Sequence, residues 1–340
     1  MHSRPATSLT QTGAVERAAG ERGGAGRRPA PAAASVAQAT LQTASRDEIT
    51  AHQLARFQAG LRQILASNAF YQRKLAGIDP QRITNLEDFR ALPFTTKSEL
   101  VSDQIEHPPY GTNLTYPLRD YLRLHQTSGT TGQPLKLLDT PASWDWWADC
   151  WNVIYQAAGV TNEDILFLAF SFGPFIGFWS AYEGAKRVGA LIVAGGGQTS
   201  VQRIQTMLAT GATVLVCTPT YALHLAEVAQ AEGIAIASSA VRVTIHAGEP
   251  GASIPNTRHR IETAWGAGAY DHLGMTEMGA YGFTCLHQDA VHINEAEFIA
   301  EILDPTTGAP VAEGERGELA LTNLGRWGTP AIRYRTGDLV

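Results

Sequence analysis

The sequence predicts an α/β protein: layered α/β subdomains with mostly parallel sheets, plus a smaller β-rich subdomain. Three observations carry this. Between residues 165 and 272 short apolar runs alternate with helix-period segments, the pattern of parallel strands joined by crossover helices. After His292 the helical period stops, and strand-like runs at 298–303 and 318–321 flank the turn Asp304-Pro305-Thr306-Thr307-Gly308. Finally, 340 residues that are 44% hydrophobic and 17% charged supply a sizeable core and exclude a wholly disordered chain.

In chain order, residues 1–46 form an Ala/Gly/Arg-rich tail. It has no aromatic residue, and over residues 1–45 five arginines against two glutamates give it +3. So few large apolar groups cannot offset ordering entropy, so the tail is expected to be disordered. The Gly-rich run at 23–29 argues against the amphipathic helix of a transit peptide. From 47 onward Leu54, Phe57, Leu61, Ile64 and Leu65 share one helix face, with 68–71 as its frayed end or a turn. A short helix at 86–92 stops before Pro93. Strands are then expected at 121–124, 165–170, 190–193, 214–217, 241–246 and 268–272, and helices at 178–188, 201–209, 221–232 and 254–265. Trp144, Trp146, Trp147 and Trp151 also lie on a helix and are expected to pack rather than line a pocket.

Charge and cysteine usage narrow the function. The net charge is −6, so the part after the +3 tail carries −9, and no basic footprint for nucleic acid is present. No apolar run approaches the roughly 18 residues of a membrane span. Three cysteines (Cys150, Cys217, Cys285) make no disulfide framework, which fits a reducing cytoplasm.

The richest stretch is His125-Gln126-Thr127-Ser128-Gly129-Thr130-Thr131-Gly132-Gln133-Pro134. Gly129 and Gly132 permit a tight loop whose amides point inward, and Ser128, Thr130 and Thr131 add short donors, a combination suited to phosphate oxygens. A polar surface loop is the alternative, and no Walker A lysine pattern is present.

This string resembles the phosphate loop of adenylate-forming enzymes, the superfamily of acyl-CoA synthetases, adenylation domains and luciferases. Further segments follow in the family's order. Ala247-Gly248-Glu249-Pro250 resembles its adenine-side loop, Asp271-His272-Leu273-Gly274-Met275-Thr276-Glu277 its adenine and magnesium motif, and Tyr334-Arg335-Thr336-Gly337-Asp338 its ribose motif. Residues 92–97 and 218–223 bring the resemblance nearest to phenylacetate–CoA ligases. The resemblance covers about residues 50–340 and implies the large AMP-binding domain of such an enzyme over 47–340.

What the resemblance implies is specific. An aromatic carboxylic acid is activated by ATP to an acyl-adenylate and then to a CoA thioester. Loading of a carrier-protein thiol or an amine, and a non-catalytic nucleotide-binding module, are the alternatives. Thr276 and Glu277 would be catalytic, Glu277 holding Mg²⁺. Asp338 would take the ribose hydroxyls. Gly248, Glu249, Pro250, Asp271, His272 and Leu273 would surround the adenine. Leu273 stands where the family commonly has a stacking Tyr, and His272 either substitutes for it or has a structural partner. The acyl pocket would be built from Phe170, Phe172, Gly173, Phe175, Tyr221, Gly274 and Met275, unless these are plain core. Cys285 and His292 have the spacing of a Zn²⁺ half-site that some relatives complete with a Cys-x-Cys after the ribose motif; an unmetallated loop is the alternative. The family carries a small C-terminal lid domain after that motif, so this chain, ending at Val340, is expected to turn over poorly alone. Expected partners are the aryl acid, ATP and CoA, without nucleic acid or membrane, and with a homodimer as the candidate assembly.

Overall fold

The computed structural model describes residues 43–129, 132–173, 175–288 and 290–340. Most of the expected tail, together with Thr130 and Thr131, lies outside the described residues. Helix α1 (Arg46–Ser67) opens with a capping box between Ser45 and Glu48 and buries Leu54, Phe57, Leu61 and Ile64. Asn68, read from sequence as a frayed end, both closes α1 and caps a second helix, α2 (Ala69–Lys74). The short helix α3 (Leu86–Arg90) follows, then α4 (Lys97–Glu106), which the sequence reading missed.

Strands β1 (Arg123–Gln126) and β2 (Lys136–Asp139) form an antiparallel hairpin that leads into α5 (Pro141–Ala157). Thr140 caps α5 and Pro141 occupies its first turn, where a missing N–H costs nothing. Trp144, Trp147 and Trp151 fall at helical spacing, and Trp147 and Trp151 are fully buried. The layered region then alternates β3 (Ile165–Leu168), α6 (Ile176–Val188), β4 (Leu191–Ala194), α7 (Ser200–Thr210), β5 (Val214–Cys217), α8 (Pro219–Ala231), β6 (Val243–His246), α9 (Pro255–Trp265) and β7 (Gly268–Met275).

These strands join in the order β4-β3-β5-β6-β7, all parallel. Two antiparallel strands, β8 (Gly279–Thr284) and β9 (Val291–Ile293), extend the sheet beyond β7 to seven strands. One apolar cluster, with Phe167, Leu215 and Trp265, packs α7–α9 on one face; the larger one, with the tryptophans of α5 and with α6, covers the other. Such two-sided burial explains why β5 reads Val-Leu-Val-Cys without alternation. The β-rich subdomain is a separate antiparallel sheet of β10 (Phe298–Leu303), β11 (Glu318–Asn323) and β12 (Tyr334–Leu339). Among the described residues no helix is long and apolar enough to cross a membrane.

Candidate active site

In a sheet of parallel strands, ligands bind outside the carboxyl ends, where the strand order reverses. Here β3 lies between β4 and β5, and a cavity of about 260 Å³ opens beyond the ends of β3, β5, β6 and β7. Phe170 follows β3, Val216 to Thr218 close β5, Ala247 and Gly248 follow β6, and His272, Gly274, Met275 and Thr276 come from the end of β7. Helix α5 contributes Trp147 and Trp151, and the start of α6 adds Ile176, Gly177, Phe178 and Ala181 beside Phe175.

Of the expected acyl residues, Phe170, Phe175, Gly274 and Met275 line this cavity. Phe172 and Gly173 stand behind it: the Phe172 ring packs on Trp179 at 4.6 Å, and the Gly173 carbonyl accepts from Trp179 Nε1 at 2.8 Å. Tyr221 belongs to a separate depression with Arg203 and His224, its hydroxyl 3.1 Å from Ser200 Oγ. That depression adjoins the cavity through Phe170 and Thr218, which line both. Conversely Trp147 and Trp151, expected only to pack, form the α5 wall.

The phosphate-loop string is the tip of the β1–β2 hairpin. Its neck is closed by Thr127, whose amide donates to the Leu135 carbonyl at 3.1 Å and whose Oγ1 accepts from the Leu135 amide at 3.0 Å. Gly129 and Gly132 have φ of +68° and +140°, backbone that side-chain-bearing residues avoid. Ser128 is exposed at the tip.

The second motif divides into groups that hold the protein and groups left open. Asp271 is 4% exposed, and its two oxygens accept from the Ala252 and Ser253 amides at 2.7 and 2.5 Å. Glu249 is likewise engaged, by the Thr220 amide at 2.9 Å and the Thr220 hydroxyl. Its pKa is lowered by these bonds against a desolvation that raises it. Together these two carboxylates pin the 247–253 segment, including Pro250, to β7 and α8. His272 is buried with Nδ1 3.2 Å from the Gly282 carbonyl and its ring 4.3 Å from the Trp151 ring. Leu273 is half-buried and packs against the core.

Glu277 is 5% exposed. Its Oε1 lies 3.1 Å from Lys97 Nζ, at the first position of α4, and accepts from the Tyr334 hydroxyl at 3.3 Å. Burial and the neighbouring carboxylate push the Tyr334 pKa up. Neither Lys97 nor Tyr334 was singled out for this site in the sequence. Beside Glu277, the Thr276 carbonyl accepts from Arg326 at 2.5 Å, and Arg326 forms a bidentate pair with Asp139 of β2 at 2.7 and 2.8 Å. Asp338 sits on β12, exposed; its amide donates to Thr336 Oγ1 at 3.0 Å, and desolvation raises its carboxyl pKa.

A family model described as AMP-binding enzyme matches residues 32–325. The chain belongs to the AMP-binding enzyme family. Two curated phenylacetate-coenzyme A ligases are similar over most of its length. That of Pseudomonas putida is 33% identical over 305 residues, 88% of this chain and 68% of the relative. That of Escherichia coli (strain K12) is 34% identical over 306 residues, with the same coverage. Among solved structures, 2-hydroxyisobutyryl-CoA ligase with 2-HIB-AMP and CoA matches in an open conformation with TM-score 0.79 and 32% identity, over 84% of this chain and 68% of that one. In its thioesterification state the TM-score is 0.83, over 87% of this chain and 64% of that one. The chain therefore spans about two thirds of the length of these relatives. Enzymes of this family use ATP, and the CoA ligases among them CoA.

Away from the cavity, Cys285 Sγ and His292 Nε2 lie 3.2 Å apart. The spacing read from sequence thus does bring the two together. Among the described residues no third His, Cys, Asp or Glu joins them, so they remain a pair.

Proposed function

We propose that this chain activates a short aryl carboxylic acid with ATP and passes the acyl group to CoA. The observation that carries the reading is the small aromatic cavity whose rim is made by Gly248 and Thr276 of the nucleotide motifs. Its volume of about 260 Å³ lies below the roughly 300–1,000 Å³ of drug-sized sites, which favours one ring over a long chain. In the first step a substrate carboxylate oxygen bonds to the α-phosphorus and the bond to pyrophosphate breaks. In the second, the CoA sulfur bonds to the acyl carbon, AMP leaves, and the thiol proton passes to solvent.

The protein's share is placement. Loop amides and hydroxyls around Ser128 offer neutral donors to phosphate oxygens where negative charge builds. Asp338 offers two acceptor oxygens to the ribose diol. The donor set at Glu277 fits Mg²⁺: Oε1 is shared by Lys97 and Tyr334, while Oε2 accepts no hydrogen bond from the described residues. A hard cation that keeps several waters needs only such a carboxylate, the Thr276 hydroxyl and phosphate oxygens. When bound, the ion neutralises charge on the transferring phosphate. Lys97 orients the Glu277 carboxylate beforehand. Three unpaired cysteines support a reducing, cytoplasmic setting.

Calorimetry tests this. Phenylacetate should bind the ATP–Mg²⁺-loaded protein with measurable heat, and Glu277→Ala should weaken ATP–Mg²⁺ binding at least tenfold. Absence of acid-dependent heat, with ATP bound, would sink the acid reading. Equal ATP heats in both proteins would sink the role of Glu277.

A further inference from the structure

The cavity wall is mostly apolar; its polar side chains are Thr218, Thr276 and His272, and His272 is unusual in its state. The His272 Nδ1 faces the Gly282 carbonyl at 3.2 Å. A carbonyl oxygen only accepts, so Nδ1 carries the proton and donates. Burial pushes the His272 pKa down to about 4, so the ring is neutral at pH 7. Nε2 is then a bare lone pair. Among the described residues it has no hydrogen-bond partner, and it is not sealed from solvent, so it opens to the cavity that His272 lines. Trp151 packs on one side of the ring, and Nε2 and Cε1 would lie 2.9 Å from any Cβ at Gly274. The glycine is what leaves room for the imidazole edge beside the ligand.

An acceptor fixed in an apolar wall discriminates strongly. An unsubstituted aryl group covering it strips away water and returns nothing, whereas a hydroxyl donates to it. We propose that the acid taken by this site is a short aryl acid bearing a ring hydroxyl, which donates its hydrogen bond to His272 Nε2. This rests on the acid-activating function proposed above and adds to it the substrate class and the residue that selects it. Phe170, Phe178, Trp147 and Trp151 supply the ring contacts. His272 supplies the choice among rings.

The test is calorimetry on the full chain with acyl-sulfamoyl-adenosine analogues of phenylacetate, of its three ring-hydroxylated isomers and of 2-hydroxyisobutyrate, with sulfamoyl-adenosine as reference. At least one hydroxylated aryl analogue should bind tenfold or more tighter than the phenylacetyl analogue. In His272→Leu that ratio should fall to threefold or less. A wild-type ratio within threefold for all three isomers overturns the proposal, and this arm needs no variant to fold. A ratio that survives in a His272→Leu protein with a normal melting curve also overturns it, as does tightest binding by the 2-hydroxyisobutyryl analogue. If no acyl analogue binds tighter than sulfamoyl-adenosine, the acid-activating reading itself fails and takes this inference with it.

Discussion

Replacing Arg326 by Met tests how the nucleotide motifs are held together. Both members of the Arg326–Asp139 pair are fully buried. The guanidinium spends two bonds on Asp139, at 2.8 and 2.7 Å, and a third on the Thr276 carbonyl at 2.5 Å. Methionine fills similar space but leaves the Asp139 charge with His125 as its nearest cation candidate, 3.9 Å away. That histidine is neutral, since burial holds its pKa down to about 4. Removing one partner of a buried pair costs about 3–5 kcal/mol. For a domain of this size a loss of 1 kcal/mol lowers Tm by roughly 2–4 °C, so Tm should fall by roughly 6–20 °C. Arg326→Lys keeps the charge without the planar fork and should recover about half of the loss. Asp139→Asn combined with Arg326→Met should be less destabilised than the two single losses added together. Urea denaturation and calorimetry measure wild type, the three single variants and the double variant, and ATP binding should weaken with the freed Thr276 carbonyl. A loss under about 1 kcal/mol for Arg326→Met, or strict additivity in the cycle, would refute the argument.

Three further perturbations have defined outcomes. His125, His246 and His272 each have a pKa lowered to about 4, mainly by burial. The unfolded chain therefore binds more protons between pH 4 and 6.5, and stability, full above 6.5, should fall toward pH 4 by about 4 kcal/mol per unit in mid-window; a flat Tm between pH 6.5 and 5 would contradict this. Gly184→Ala puts a Cβ 2.3 Å from Trp151 Cβ, so overpacking should cost about 1–3 kcal/mol and weaken acyl-analogue binding through the displaced wall. Unchanged melting and binding would mean that α5 and α6 yield freely there. Asp271→Ala should lower both Tm and ATP affinity, whereas Asp338→Ala should lower ATP affinity and leave Tm within about 1 °C; parallel losses in both would remove the distinction between them.

Much of this architecture was legible because the chain marks it locally. Strands β5 and β10 fall where β-branched and aromatic runs are bounded by Gly, Thr and Asp. The missed α4 has just Leu100, Val101 and Ile105 as large apolar residues, yet its Thr96–Glu99 capping box was a readable start signal. Strands β8 and β9 were invisible for another reason: all six residues of Gly279–Thr284 are buried, so no alternation survives, and two of them are glycine. The site motifs were legible as strings. What could not be read was the partnership of Glu277 with Lys97 and Tyr334, since these meet through packing across 180 and 57 positions of chain.

The acidic residues of the motifs then sort by a physical criterion rather than by position. An oxygen that already accepts a short bond from a backbone amide gains little by exchanging it for a ligand. Asp271 and Glu249 are in that condition, and they act by fixing the 247–253 segment in place. Glu277 Oε2 and the Asp338 carboxylate accept no hydrogen bond from the described residues, so a ligand group or a cation finds them free. The same criterion picks out His272 Nε2 on the acyl side. It also reconciles a nucleotide site with a body carrying −9, because two of its acids are neutralised by amide dipoles and a third by Lys97.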